Sequence, residues 1–304
     1  MAKTLKFILR SQIKSSKIIQ KPGGFTLIEL LVALLIAFLI LTPLLGFMVS
    51  VLSTDRQEQA KANSEQEIQT ALNYISRDVQ QAVYIYDADG IEAIKSELRY
   101  PSDTTKSPVL VFWKRELESD VIPAADGTTD DTFVYSLVAY YLIKENSNTW
   151  SNAARIARWQ IKDGVRAANG TYITPPSAGF APFTEYFDEA DSLKIGMEKW
   201  KKSGTYDTSA TVLIDYVDQS TEDPRPAANC PTPATTWSTI TPANNRTGFY
   251  VCVDSFNTTA QVFIRGNALA RIENDGNRIK YNANNQTYFP TTSVRVEGRG
   301  FLFR

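Results

Sequence analysis

The 304-residue chain contains no histidine. The commonest general base and the commonest metal ligand are therefore missing. Ser-His-Asp and Cys-His mechanisms and any histidine-bearing zinc site go with them. No Gly-rich loop ending in Lys-Ser or Lys-Thr is present, so Asp188-Glu189-Ala190-Asp191, which spells a helicase box, has no phosphate cradle to serve and reads as chance. No enzymatic activity and no cofactor are expected on these grounds. The most consequential absence is local. From Leu30 through Thr54 there is not one charged residue. About 20 apolar residues suffice to cross the roughly 30 Å hydrocarbon core of a bilayer.

What flanks that run gives it direction. Before Phe25 stand Lys3, Lys6, Arg10, Lys14, Lys17 and Lys21 and no acid. Basic flanks stay in the cytoplasm, so the N-terminus is expected inside and the bulk of the chain outside. A secretory signal is cut after its apolar region. Here the small pair Gly23-Gly24 precedes it, so a cut would remove the basic leader and leave the membrane helix in place. One carboxylate, Glu29, sits at the edge of the run, where an unpaired acid is costly. A cut after Gly24 frees an ammonium at Phe25, four residues from Glu29. Within one chain this sets an acid at a helix N-terminus. Between chains, the acid of one can neutralise the amine of the next, which rewards a single stagger of packed helices.

The octapeptide Gly24-Phe25-Thr26-Leu27-Ile28-Glu29-Leu30-Leu31 resembles the class III signal of type IV pilins and type II secretion pseudopilins. The resemblance implies that a prepilin peptidase cuts between Gly24 and Phe25, that the new Phe25 amine is N-methylated, and that Glu29 recruits and aligns subunits. The stretch Ser64–Ile68 through Ser76–Tyr84, and the pairing of Leu137–Leu142 with Ile156–Trp159, resemble large minor pilins of the PilW kind and J-type pseudopilins. More narrowly, Val109–Arg115 and Val262–Leu269 resemble the pseudopilins of cyanobacterial hormogonium polysaccharide secretion. The implied partners are other major and minor pilins or pseudopilins, the peptidase, the membrane, and an inner-membrane assembly platform driven by a separate ATPase. Pro43 and Gly46 lie in the membrane half of the helix. Proline removes a helical hydrogen bond and crowds the carbonyl of Leu39. The family reading is a site that loosens on assembly, and a plain kink is the alternative.

Removing six leader cations from 32 leaves 26 against 33 acids, net −7 for residues 25–304. A mildly acidic exterior does not suggest nucleic acid as the main partner. Cys230 and Cys252, an even pair in an exported domain, read as a disulfide worth about 3 kcal/mol in the chain-entropy picture, with two free thiols as the alternative. It would pin the Pro- and Thr-rich segment from Cys230 to Asn245.

The periodicity predicts one helix from Phe25 to Tyr84. Its outer half is polar, then carries an apolar stripe at Ile68, Leu72, Ile75, Val79 and Val83. Strands are expected at Val109–Lys114, Thr132–Lys144, Ala154–Lys162, Thr211–Val217, Phe249–Asp254, Gln261–Arg265, Arg278–Tyr281 and Val294–Val296. One long helix followed by strands argues an α+β fold, a pilin-like helix on an antiparallel sheet. The expected organisation is a leader at 1–24, a membrane or filament-core helix at 25–53, its soluble half at 54–86 and a β-rich domain at 87–304. Arg158 and Trp159 are expected at a strand end, as a cation–π patch or with Trp159 in the core. Asp87-Ala88-Asp89-Gly90-Ile91-Glu92 reads as a helix-ending turn, with calcium as the alternative. Asp215, Asp218, Glu222 and Asp223 read as a solvated acidic loop. Rival functions are a J-type pseudopilin for protein export, a tip adhesin or DNA-uptake subunit, and a membrane-anchored exported enzyme.

Overall fold

A computed structural model of the chain describes residues 24–124, 127–186, 192–221, 226–231 and 237–299. The leader cations, the Asp188–Asp191 run, Glu222 and Asp223 lie outside the described residues. The chain divides at Thr54/Asp55 into two compact units, and one helix, α1 (Leu27–Val79), contributes to both.

In the first unit every residue from 24 to 54 is exposed. Helix α1 passes through Pro43 without stopping. The ring deprives the Leu39 carbonyl of its usual donor, and one residue earlier the Thr42 hydroxyl donates to the Phe38 carbonyl at 2.8 Å. Gly46, one turn on, has no neighbour within 4 Å of where a side chain would begin.

In the second unit the rest of α1 lays Ile68, Leu72, Ile75 and Val79 into the core, each 3% exposed or less. Burying such side chains contributes about 1.5–3 kcal/mol apiece. The helix stops at Val79, short of the expected Tyr84. Residues Ala82–Ile85 form strand β1, buried at all four positions. Val83 falls on the helical stripe by coincidence. A continuous apolar run rich in β-branched and aromatic side chains goes to a doubly covered strand instead.

Strand β1 is the edge of a five-stranded antiparallel sheet. Its other strands are β2 (Lys106–Pro123), β3 (Thr129–Ile143), β4 (Ala154–Lys162) and β7 (Thr211–Val217), in the order β1-β2-β3-β4-β7. A short pair, β5 (Val165–Arg166) and β6 (Tyr172–Thr174), stands apart. A four-stranded antiparallel sheet runs β11 (Thr291–Glu297), β10 (Thr259–Arg265), β9 (Phe249–Asp254), β8 (Ser238–Ile240). Side chains of α1, β1 and both sheets share one core. The architecture is α+β, with a long apolar N-terminal helix packed through its second half on antiparallel sheets.

Four expectations need correction. Arg278–Tyr281 is not a strand. Arg278 and Ile279 donate to the Asp275 carbonyl in turns, and the buried Ile279 mimics strand alternation. The Asp87–Glu92 segment does not end a helix. Asp87 caps a new one, α2 (Ala88–Ile94), by accepting from the Gly90 amide at 2.9 Å. The Lys194 ammonium sits 2.7 Å from the same carboxylate, where a cation would otherwise bind. Arg158 and Trp159 lie inside β4 and point to opposite faces. Trp159 is core, edge-on to Tyr206 at 4.7 Å, while Arg158 faces α1. The acidic loop is not simply solvated either. Asp218 is fully buried against Arg265 Nε at 2.8 Å, and Asp215 accepts from the Ser151 amide and hydroxyl.

Asp218 also explains a glycine. A Cβ at Gly248 would fall 2.0 Å from the Asp218 carbonyl oxygen. Gly248→Ala is expected to destabilise the fold by about 1–3 kcal/mol through forced backbone displacement. Urea unfolding monitored by tryptophan fluorescence reads this directly, and an unchanged midpoint would show that the two segments do not approach this closely.

Candidate functional site

The first unit offers two features, a defined helix start and a fully exposed apolar flank. Thr26 accepts from the Glu29 amide at 3.3 Å, and its carbonyl accepts from the Leu30 amide at 3.1 Å. Thr26 is therefore the cap, and Glu29 occupies the third helical position. The Thr-x-x-Glu spacing is that of a capping box, of which the structure shows the threonine half. Sequence reasoning passed over Thr26, although this spacing was its signal. Gly24, Phe25 and Glu29 stand together at this helix start, all exposed. Glu29 lies in the first turn, where the helix dipole favours an acid.

Behind them, large apolar side chains from Phe25 to Leu52 are uncovered on all sides, with Phe25 81% and Leu39 78% exposed. Soluble surfaces do not carry such a patch. The helix is long and apolar enough to cross a membrane.

The second unit contains a polar cluster that the sequence did not reveal. Asp78, in the last turn of α1, is 7% exposed. Its Oδ2 accepts from Arg158 Nε at 2.7 Å and from the Tyr140 hydroxyl at 2.7 Å, and its Oδ1 accepts from Arg158 Nη2 at 3.2 Å. Lys114 Nζ lies 3.1 Å from Oδ1. An acid at a helix C-terminus opposes the dipole, so the cations offset both burial and the helix end. Burial pushes the Asp78 carboxyl up. The hydrogen bond and charge of Arg158, the charge of Lys114 and the Tyr140 hydroxyl outweigh it and hold the pKa below the usual carboxylate value. The cluster extends to Glu116, which accepts from Ser136 at 2.8 Å and Gln160 at 2.7 Å. It joins α1 to β2, β3 and β4. Its one sequence signal is an acid three residues after Ile75 on an otherwise apolar stripe.

Cys230 and Cys252 are joined as a disulfide with Cα atoms 5.5 Å apart, tying the segment before β8 to β9. Among the described residues no group of His, Cys, Asp and Glu side chains gathers as metal ligands.

Residues 20–45 match the family model described as the prokaryotic N-terminal methylation motif. No curated protein and no solved structure matches the chain. The matched residues include the Gly24–Phe25 junction, Glu29 and Pro43. The motif supports a type IV pilin-like protein.

Proposed function

From the premise of a type IV pilin-like chain, we propose that this is a minor pilin or pseudopilin that enters a pilus-like filament, at an initiating or tip complex. It waits in the inner membrane with its N-terminus in the cytoplasm and its globular unit in the periplasm. A prepilin peptidase cuts after Gly24, Phe25 is N-methylated, and α1 then moves sideways from lipid into a bundle of like helices. One observation carries this reading. Residues 27–45 of the matched stretch lie on a helix and are all exposed, and a helix bundle of other subunits would cover them. The partners are other major and minor pilins or pseudopilins and an inner-membrane assembly platform. The large second unit argues against a close-packed bulk subunit. The likeness of Val109–Arg115 and Val262–Leu269 to pseudopilins of polysaccharide secretion favours a role in polysaccharide export and the motility that accompanies it.

The direct experiment is mass spectrometry of the filament-borne chain from its native host. The expected N-terminal peptide begins at a methylated Phe25. A peptide still carrying Lys21 and Gly24 in the filament fraction would sink the proposal.

A further inference from the structure

A cavity of about 520 Å³ opens between α2, the loop that leads into β2, and the stretch from β8 to the 3₁₀ turn Ala243–Asn245. Small-molecule sites run from roughly 300 to 1,000 Å³. Two cross-bonds hold the walls in place. The Ser107 hydroxyl on β2 accepts from the Ala243 amide at 3.1 Å, and the Ser238 hydroxyl on β8 accepts from the Ala88 amide at 3.1 Å.

The charges in the lining cancel. Lys95 pairs with Glu92 at 3.0 Å and Lys106 with Asp103 at 2.6 Å. Glu145, which Lys106 also reaches, is balanced by Arg155 at 2.7 Å. No other charged side chain among the described residues lines the cavity. The wall therefore holds no surplus charge for an ion of either sign.

It offers hydroxyl and carboxamide groups instead. The side chains of Ser102, Thr104, Thr241 and Asn244 line the cavity and bond to no other group among the described residues. Each can both donate and accept. Apolar groups complete the lining, among them Ile91 and Ile240, both 5% exposed, and the ring of Pro242. Asn244 and Asn245 stand at φ 62° and 51°, in the left-handed region. Asparagine tolerates that region better than most residues. Two in succession still cost free energy, and such strain gathers at ligand clamps.

A ligand that matches this wall is uncharged. It carries groups that donate and accept at once, and it has C–H faces to lay on the apolar side. A sugar chain has all three properties. A lipid tail lacks the polar groups, a phosphate or divalent cation meets no net charge, and a peptide backbone splits its donors and acceptors between separate groups. We propose that this cavity binds a neutral saccharide, with Thr241 and Asn244 bonding its hydroxyls. The assignment rests on the lining alone and does not depend on entry into a filament.

The test uses the full chain in micelles of a sugar-free detergent, titrated calorimetrically with neutral tetrasaccharides of glucose, galactose, mannose and N-acetylglucosamine. Saturable one-site binding of at least one of them is expected, with a Kd of about 1 mM or tighter. It should not change between about 50 and 200 mM sodium chloride, because no ion pair forms or breaks. Thr241→Val removes a hydroxyl at nearly constant shape. Asn244→Gly removes a carboxamide and keeps a residue that accepts the left-handed backbone. Each should weaken binding about fivefold. Thr149→Val, exposed and outside the cavity, should leave it unchanged. If one cavity variant fails to fold, the other decides. No saturation by any of the four sugars up to about 10 mM would overturn the site. Wild-type affinity in the folded cavity variants would overturn it too, as would displacement of the sugar by sodium sulfate or calcium chloride, or tighter binding of a capped, uncharged tetrapeptide.

Discussion

Glu29→Gln is expected to empty the filament fraction of this chain while leaving the cut after Gly24 unchanged. The charge decides this, not the helix start. Glutamine at the third helical position can still serve a capping box, and the Thr26 bond to the residue 29 amide is a backbone contact. What glutamine cannot do is neutralise the Phe25 ammonium of an adjoining subunit. A lone charge within a membrane-like bundle costs about 3 kcal/mol, and each 1.4 kcal/mol is about tenfold in occupancy. The filament-borne fraction should therefore fall roughly a hundredfold. Immunoblots of sheared filaments against membranes measure the fraction, and the size of the membrane-bound band reports processing. Normal incorporation of the variant would show that no intersubunit pair forms at Glu29.

The second large effect is expected at Asp78. Asp78→Ala leaves Arg158 in the interior without its acid and Lys114 with Glu116 as its only acid, at 3.4 Å. Breaking a buried pair from one side costs about 3–5 kcal/mol, a large share of the 5–15 kcal/mol that holds a typical fold. Trp113, Trp159 and Trp200 are buried to within 1%, so fluorescence during urea unfolding reports the loss. The pH dependence has a definite sign. The folded pKa of Asp78 is depressed. Its contribution is complete above the ordinary carboxylate value of 3.8 and is lost as pH falls through the lower folded value. The wild-type chain should lose stability over that acid range more steeply than the variant. Parallel acid profiles would mean that the carboxylate is not ion-paired in the folded state.

The readable parts of this chain are those where neighbours in sequence do the work. Gly24, Phe25 and Glu29 lie within one helical turn and its approach, so their nearness needs no tertiary structure. The stripe Ile68, Leu72, Ile75, Val79 was equally plain, as were β4, β7 and β9, which keep the expected bounds. Where two periods agree by chance, the reading failed. Val83 fits i+4 and also a buried strand, and only pairing of Ala82–Ile85 with β2 decides between them. Arg278–Tyr281 alternates because one isoleucine happens to be covered. Asp78 and Arg158 are 80 residues apart, so their meeting depends on how α1 packs across the sheet, which periodicity does not carry.

Asp78 has a mechanical consequence. Traction applied to α1 toward its N-terminus would be shared between its earlier contacts, among them Ser64 with Arg271 and Gln69 with Thr292, and the last helical turn, where it passes to Arg158 on β4, Lys114 on β2 and Tyr140 on β3. Three adjacent strands would then take up the strain together, and their ladders would resist as a plate instead of peeling one rung at a time. A globular unit fastened in this way can be pulled by its helix without the sheet coming apart.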